Sequence, residues 1–435
     1  MVLAMRIADK NILLGISLAF LVLLSAELVL IIGGAGSAGN QYATAILYSG
    51  TLLGIFLLGC RGLPKITAGD TIFAAMLISI IASFATNPWF ADRRESLLLL
   101  MSMFAYVAAR SISIDQIPTI RGAFKWIAGG TVLLGSIVTG KALLEQWYEP
   151  HGHPFVFGFD HGATNFAYAM GIFVLAVVSD DLTKRKTQIL CASLALPAMV
   201  FGASLVRFAL AAVIGGLLLN IFLSKNRRQA SYVAALVITL LVSSIFGYAV
   251  RHQSLETIPK ATSQEALTTS QPRRLMSMAR APAVEQAPEM PPSCGSMLDE
   301  GDSVAQRKAL LRDALYLAPR AGPFGLGLES FSEYSCIVRL EIHNSLVQVF
   351  VELGYLAGGA LIALIGYVAF WTFQLARYNA DARFIFCIFA YQIALSLVYG
   401  RVNRETALFA IIGCSVGIAE TARGSSDLIR KRSRP

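Results

Sequence analysis

The sequence predicts an all-α integral membrane protein with about twelve transmembrane helices and one large outward loop. Three observations predict it. Of 435 residues, 55% are hydrophobic and only 14% charged, outside the balance of soluble globular chains. Apolar runs of about 17–22 residues recur along the chain, each long enough to cross a hydrocarbon core of roughly 30 Å as a helix. The short connections between these runs are basic at every second turn, as the positive-inside tendency requires.

Taken in order, the apolar runs place helices at Asn11 to Ile32, Gln41 to Cys60, Thr71 to Thr86, Glu95 to Ala109, Gly122 to Leu143, Gly162 to Val178, Ile189 to Val206, Phe208 to Leu223 and Ser231 to Val250. Three more follow at Tyr355 to Leu375, Phe384 to Tyr399 and Thr406 to Thr421. The first run is too long for a signal-peptide core and has no small-residue cleavage site after it, so it is expected to remain as an anchor. With the N-terminus inside, the inner side receives Arg6, Lys10, Arg61, Lys65, Arg110, Arg121, Lys125, Lys184, Arg185, Lys186, Lys225, Arg227, Arg228, Arg377 and Arg383, and the tail Arg430, Lys431 and Arg432. Both termini are then inner. The formal charge of +9 follows from this topology rather than from a nucleic-acid partner.

The chain thus divides into residues 1–250 with nine helices, an outer loop over 251–342, a last unit over 343–421 and a basic tail over 422–435. A loop of roughly ninety residues is far longer than ordinary connections. Its middle, Thr268 to Ser293, is rich in Pro, Gln, Ala and Met and is not expected to hold a fixed fold. Within it, Ser303 to Leu317 carries apolar residues at Leu310, Leu311, Ala314 and Leu317 and reads as an amphipathic helix on the membrane surface. Cys294 and Cys336 share this loop and would form a disulfide in an oxidising compartment, or else remain as two thiols. The other four cysteines lie in apolar runs as small buried side chains.

Some charges break the topological rule. Arg93, Arg94, Arg207, Arg401 and Arg404 fall on the outer side, where they either snorkel and pair with Asp92, Glu95 and Glu405 or together bind an anion. Glu27 lies inside the first helix near its outer end and Lys141 at similar depth in the fifth. The two are expected to pair, unless Glu27 is protonated or faces a wet cavity. His151, His153 and His161 share a short outer loop, but their spacing matches no familiar metal-ligand pattern.

The stretch Pro319 to Tyr355 concentrates the remaining chemistry. Pro323, Gly325 and Gly327 make a rigid turn whose backbone can approach a ligand closely. His343-Asn344 then opens a helix with apolar Leu346, Val347, Phe350, Val351 and Leu353. A lone histidine is usually structural, yet an imidazole of ordinary pKa about 6.5 at an exposed helix start can accept a proton at neutral pH. On the residues alone both readings stand.

These motifs resemble the bacterial O-antigen ligase and polymerase superfamily, the WaaL/Wzy group. The resemblance rests on Pro323 to Phe331, on His343 to Leu346 and Glu352 to Gly354, on Gly158-Phe159 with Asn165 to Ala167, and on the Gly202 to Gly215 turn carrying Arg207. Val206-Arg207-Phe208 departs from the family's Ser-Arg-Gly and keeps only the arginine. The resemblance implies a metal-independent glycosyltransferase without cofactor, in the bacterial inner membrane. It moves a glycan from an undecaprenyl-diphosphate-linked donor to a lipid A-core or growing-polysaccharide acceptor at the periplasmic face.

In that chemistry fixed guanidinium groups stabilise the departing diphosphate. Arg207, Arg320, Arg401 and Arg404 are assigned to it, with Arg93, Arg94 and Arg339 as weaker candidates. His343 becomes general base or diphosphate donor, with Asn344, Asn165, Gly325, Gly327 and Glu27 supporting. The long loop and single His-Asn motif favour a ligase over a polymerase or a protein O-oligosaccharyltransferase. A polysaccharide flippase is the more distant alternative.

Overall fold

In the computed structural model of the chain, residues 2–24, 41–60, 65–87, 93–147, 154–156, 162–224, 226–256, 303–335 and 341–432 are described. Among them there is no β-strand, and helices occupy each predicted position. These are α1 (Val2–Leu24), α2 (Gln41–Gly59), α3 (Ala68–Thr86), α4 (Arg93–Ala109), α5 (Ile117–Glu145), α6 (Gly162–Val178), α7 (Lys184–Ala203), α8 (Arg207–Leu223) and α9 (Arg227–Glu256). The loop contributes α10 (Ser303–Leu317) and the one-turn α11 (Phe331–Tyr334). Then come α12 (Ser345–Gln348), a π-turn at Val349–Leu353, α13 (Gly354–Ala376), α14 (Ala380–Ser396) and α15 (Thr406–Arg432).

Five described segments are long and apolar enough to cross a membrane: Ala68–Thr86, Ile114–Glu145, Lys184–Ala203, Arg227–His252 and Ser345–Ala376. Ile78, Leu134, Phe222 and Ile238 point outward from their helices, the pattern of a multi-pass membrane protein whose lipid is as apolar as its core. Two ends differ from expectation. Helix α1 begins at Val2, not Asn11, and the last helix runs on to Arg432 through the expected tail, since no proline stands between Thr406 and Pro435.

Charges lock the end of the bundle opposite His343. Arg110 on the end of α4 pairs with Asp70 of α3 at 2.7 Å and Glu420 of α15 at 2.7 Å, and Tyr106 donates its hydroxyl to Asp70 at 2.8 Å. Arg121 of α5 bridges Asp180 after α6 and Asp381 of α14, while Lys125 takes Asp180 from the other side. Each guanidinium is met by carboxylates, the condition under which a charge survives partial burial.

At the His343 end, small residues set the helix spacing. Helices α7 and α9 cross so closely that a Cβ on Gly202 would collide with Ser244 O, and one on Gly247 with Met199 O. Helix α10 is amphipathic over the expected residues, but its apolar side faces protein. Leu310, Ala314 and Leu317 are buried with Phe331, Ile342 and Val351, leaving Leu311 and Leu315 outward.

The Pro323–Gly327 turn makes its close approach to the backbone of this chain. Leu326 and Gly327 donate N–H to Val351 O (3.0 Å) and Glu352 O (2.9 Å), and Tyr355 and Leu356 donate N–H to Gly322 O (3.1 Å) and Pro323 O (3.3 Å). Asn87, which caps α3, donates its amide to Phe324 O at 3.0 Å. Gly325 and Gly354 have φ of 77° and 89°, a region that strains residues with a Cβ, and a Cβ on either would strike the facing backbone. Gly354→Ala is expected to lower stability by about 2 kcal/mol or more, read as an earlier thermal unfolding of the purified protein. Gly359→Ala, where the added Cβ meets open space, should leave the transition in place.

Candidate active site at the His343 end of the bundle

His343 is half-buried and immediately precedes Asn344, the N-cap of α12, whose Oδ1 accepts the Val347 N–H at 3.0 Å. Asparagine at this position satisfies one of the N–H groups that a helix start leaves open. It also fixes the imidazole's backbone at the lip of the bundle.

Three contacts tie this segment to the link between α14 and α15. Glu341 pairs with Arg401 at 2.5 Å. Ser345 donates its hydroxyl to Glu405 at 2.7 Å, and Gln348 accepts the Val402 N–H at 2.8 Å. Burial pushes the Glu405 carboxyl above the ordinary carboxylate range, and the Ser345 hydroxyl draws it partly back. Behind them Glu352, 2% exposed, accepts from Gln348 Nε2 at 2.9 Å and from the backbone N–H groups of Glu329 and Phe331. The buried carboxylate thereby joins the His343 segment to the end of the loop.

The predicted arginines do not act alike. Arg404 makes a two-point pair with Glu95, Nη2 to Oε1 at 2.5 Å and Nε to Oε2 at 3.3 Å, and Asn403 shares the same carboxylate at 2.5 Å. With Arg401 held by Glu341, both arginines of this link are neutralised by acids, so the arrangement for Arg404 is the pairing with Glu95 that the sequence left open. Arg320 folds back on its own helix, Nη1 donating to Tyr316 O at 2.9 Å and the guanidinium lying 3.9 Å from the Tyr316 ring centre. Arg93 opens α4 with an exposed side chain. The side chain of Arg94, and Arg339, Glu27, Cys294, Cys336, His151, His153 and His161 lie outside the described residues.

Arg207 is the first residue of α8, exposed, its guanidinium 4.8 Å from the centre of the Tyr248 ring. No carboxylate pairs with it among the described residues. Asn165, on the first turn of α6, is buried, and its Nδ2 has no partner among the described residues. Lys141 pairs with Glu145 one turn along its own helix at 3.6 Å, both exposed. Its expected partner Glu27 lies outside the described residues. Sequence reading missed the acids Glu341 and Glu352 as structural partners, because only the π-turn and the loop crossing bring them beside the site. Of the acids named from sequence, Glu95 holds Arg404 and Glu405 accepts from Ser345.

Among the described residues no group of three His, Cys, Asp or Glu side chains is arranged to hold a metal ion. A family model described as O-antigen ligase (Wzy_C) matches residues 192–363. The matched span takes in the Arg207 turn, the loop and His343-Asn344, whereas Asn165 lies before it. No curated protein matches the chain. The chain is a multi-pass membrane protein whose residues 192–363 are similar to the O-antigen ligase family.

Proposed function

We propose that this protein transfers a glycan from undecaprenyl diphosphate to a hydroxyl of lipid A-core at the periplasmic face of the bacterial inner membrane. The carrying observation is that one O-antigen ligase domain spans both Arg207 and His343. The topology that goes with it has twelve crossings, both termini cytoplasmic and the large loop periplasmic. Its support is the five long and five shorter apolar helices among the described residues, and the basic residues gathered at the Arg110 and Arg121 end of the bundle.

The reaction needs three things of the protein. His343 takes the proton of the acceptor hydroxyl as its oxygen attacks the anomeric carbon. The bond from that carbon to the diphosphate oxygen breaks, and undecaprenyl diphosphate leaves with the electron pair. Guanidinium groups then meet the growing negative charge, which a low-dielectric rim makes more valuable than it would be in water. Arg401, Glu341, Ser345 and Glu405 serve this reading as positioning residues. They hold the His343 segment against the bundle, since an ill-placed base loses most of its effect.

His343→Ala should reach the membrane at wild-type level and lose about 10²-fold or more of its transfer rate. Lipopolysaccharide from cells carrying it should show bare core while lipid-linked polymer accumulates. Core bearing a single repeat would instead indicate a polymerase, and normal lipopolysaccharide would remove His343 from the chemistry. Glycan transfer by the purified protein in detergent, where no two compartments exist, separates this reading from a flippase.

A second outcome concerns metal. With guanidinium groups in the role of a divalent ion, excess chelator should leave the purified enzyme's rate unchanged. A rate that collapsed and returned with magnesium would overturn the arginine account.

A further inference from the structure

At the end of the bundle opposite His343, where α6 passes into α7, lies a pocket of about 270 Å³ lined by Val177, Asp180, Leu182, Lys186, Ile189 and Leu190. Its walls are fixed from two sides. Gln229 of α9 is buried against the link between the two helices, its Nε2 donating to Val178 O at 3.2 Å and to Asp180 O at 2.6 Å, while its Oε1 accepts the Leu182 N–H at 3.0 Å. Asp180 is held in turn by Arg121 of α5 at 3.2 Å and by Lys125.

One wall of the pocket is apolar and opens outward. Ile189, 58% exposed, and the partly buried Leu190 follow Lys186 by about one turn of α7. Trp126, 85% exposed, stands next to Lys125 on α5, and the Lys125 contact with Asp180 brings the indole to the pocket's depth. An outward tryptophan beside cations marks the headgroup layer of a bilayer.

The rim is cationic without counter-charge. Lys184, Arg185 and Lys186 make the first turn of α7, and Arg227 and Arg228 open α9 just before Gln229, all of them exposed. Among the described residues no carboxylate pairs with any of them, since Asp180 is taken by Arg121 and Lys125. Three cations at a helix N-terminus also run against the helix dipole, so they gain nothing from their own helix. What complements this place is a molecule with an anionic head and an apolar tail.

We infer that the pocket binds an anionic phospholipid of the inner leaflet, its phosphate at Lys186 with Lys184 and Arg185, and an acyl chain along Leu182, Ile189 and Leu190. Basic pockets between membrane helices on the inner side suit such headgroups. The choice of leaflet rests on the topology proposed above, whereas the binding does not. Because Arg121 holds Asp180 and, at 2.9 Å, Asp381 of α14, a lipid seated here fastens a junction of α5, α6 and α14.

A ligand that binds only the folded chain raises its stability by mass action, which supplies the readout. Thermal unfolding of the full-length purified protein in detergent is followed while phosphatidylglycerol is titrated in, with phosphatidylcholine as the zwitterionic control. Phosphatidylglycerol should raise the transition by about 2–4 °C, and phosphatidylcholine should leave it in place. Lys184→Gln combined with Lys186→Gln should weaken the response to phosphatidylglycerol about tenfold in lipid concentration, and Ile189→Asn should weaken it as well. Arg377→Gln removes a cation that lines no part of the pocket and should respond as the wild type does. All four side chains are exposed, so the variants are expected to fold. If one unfolds early without lipid, native mass spectrometry makes the same comparison by counting phosphatidylglycerol retained on folded protein. An undiminished response in the lysine variant, an equal loss in Arg377→Gln, equal shifts by both lipids, or a shift reproduced by inorganic phosphate alone overturns the lipid site. None of these readouts involves glycan transfer, so failure of the His343 reading would leave them unchanged.

Discussion

The architecture of the His343 end depends on one exchange of backbone hydrogen bonds. The π-turn at Val349–Leu353 leaves carbonyls without partners in their own helix, and the N-terminus of α13 leaves N–H groups open. The Gly322 to Gly327 segment answers both, donating to Val351 and Glu352 and accepting from Tyr355 and Leu356. Neither strand of this contact tolerates a side chain at the crossing, so Gly325 and Gly354 are fixed by the same geometry. The end of the large loop is thereby bonded to the span that begins two residues after His343, at Ser345.

Around that crossing the polar residues are arranged as couplings rather than as isolated groups. Glu352 links Gln348 to the loop backbone, and Gln348 in turn holds Val402. Glu341, Ser345 and Glu405 complete the tie between the His343 segment and the α14–α15 link. Helix α3 joins in through Asn87 and Ser83. The His343 imidazole, in the role proposed for it, owes its position to elements from distant parts of the chain, which is how a loop-borne residue gains the precision that transfer chemistry demands.

Electrostatics divides the arginines into two populations. Arg110 and Arg121 at the opposite end, and Arg401 and Arg404 at this one, have carboxylates within ion-pair distance and act as fasteners. Arg207, Arg251 and Arg307 have aromatic faces and a carbonyl but no carboxylate among the described residues. Stacking on a ring orients a guanidinium while leaving its N–H edge free.

The sequence by itself determined the class of the protein and its helices, because an apolar run of spanning length has no other stable state in a bilayer. It also marked His343, Arg207 and the glycine turn, of which the turn answers a local need, a positive φ. Only the tertiary structure decided which arginines are spoken for. Glu95 and Arg404 stand more than three hundred positions apart in sequence, and Arg251, which nothing in the sequence singles out, is buried with a bond to Ala203 O across the α7–α9 crossing. Charge pairing is a property of distance in space, and the chain reports only distance along itself.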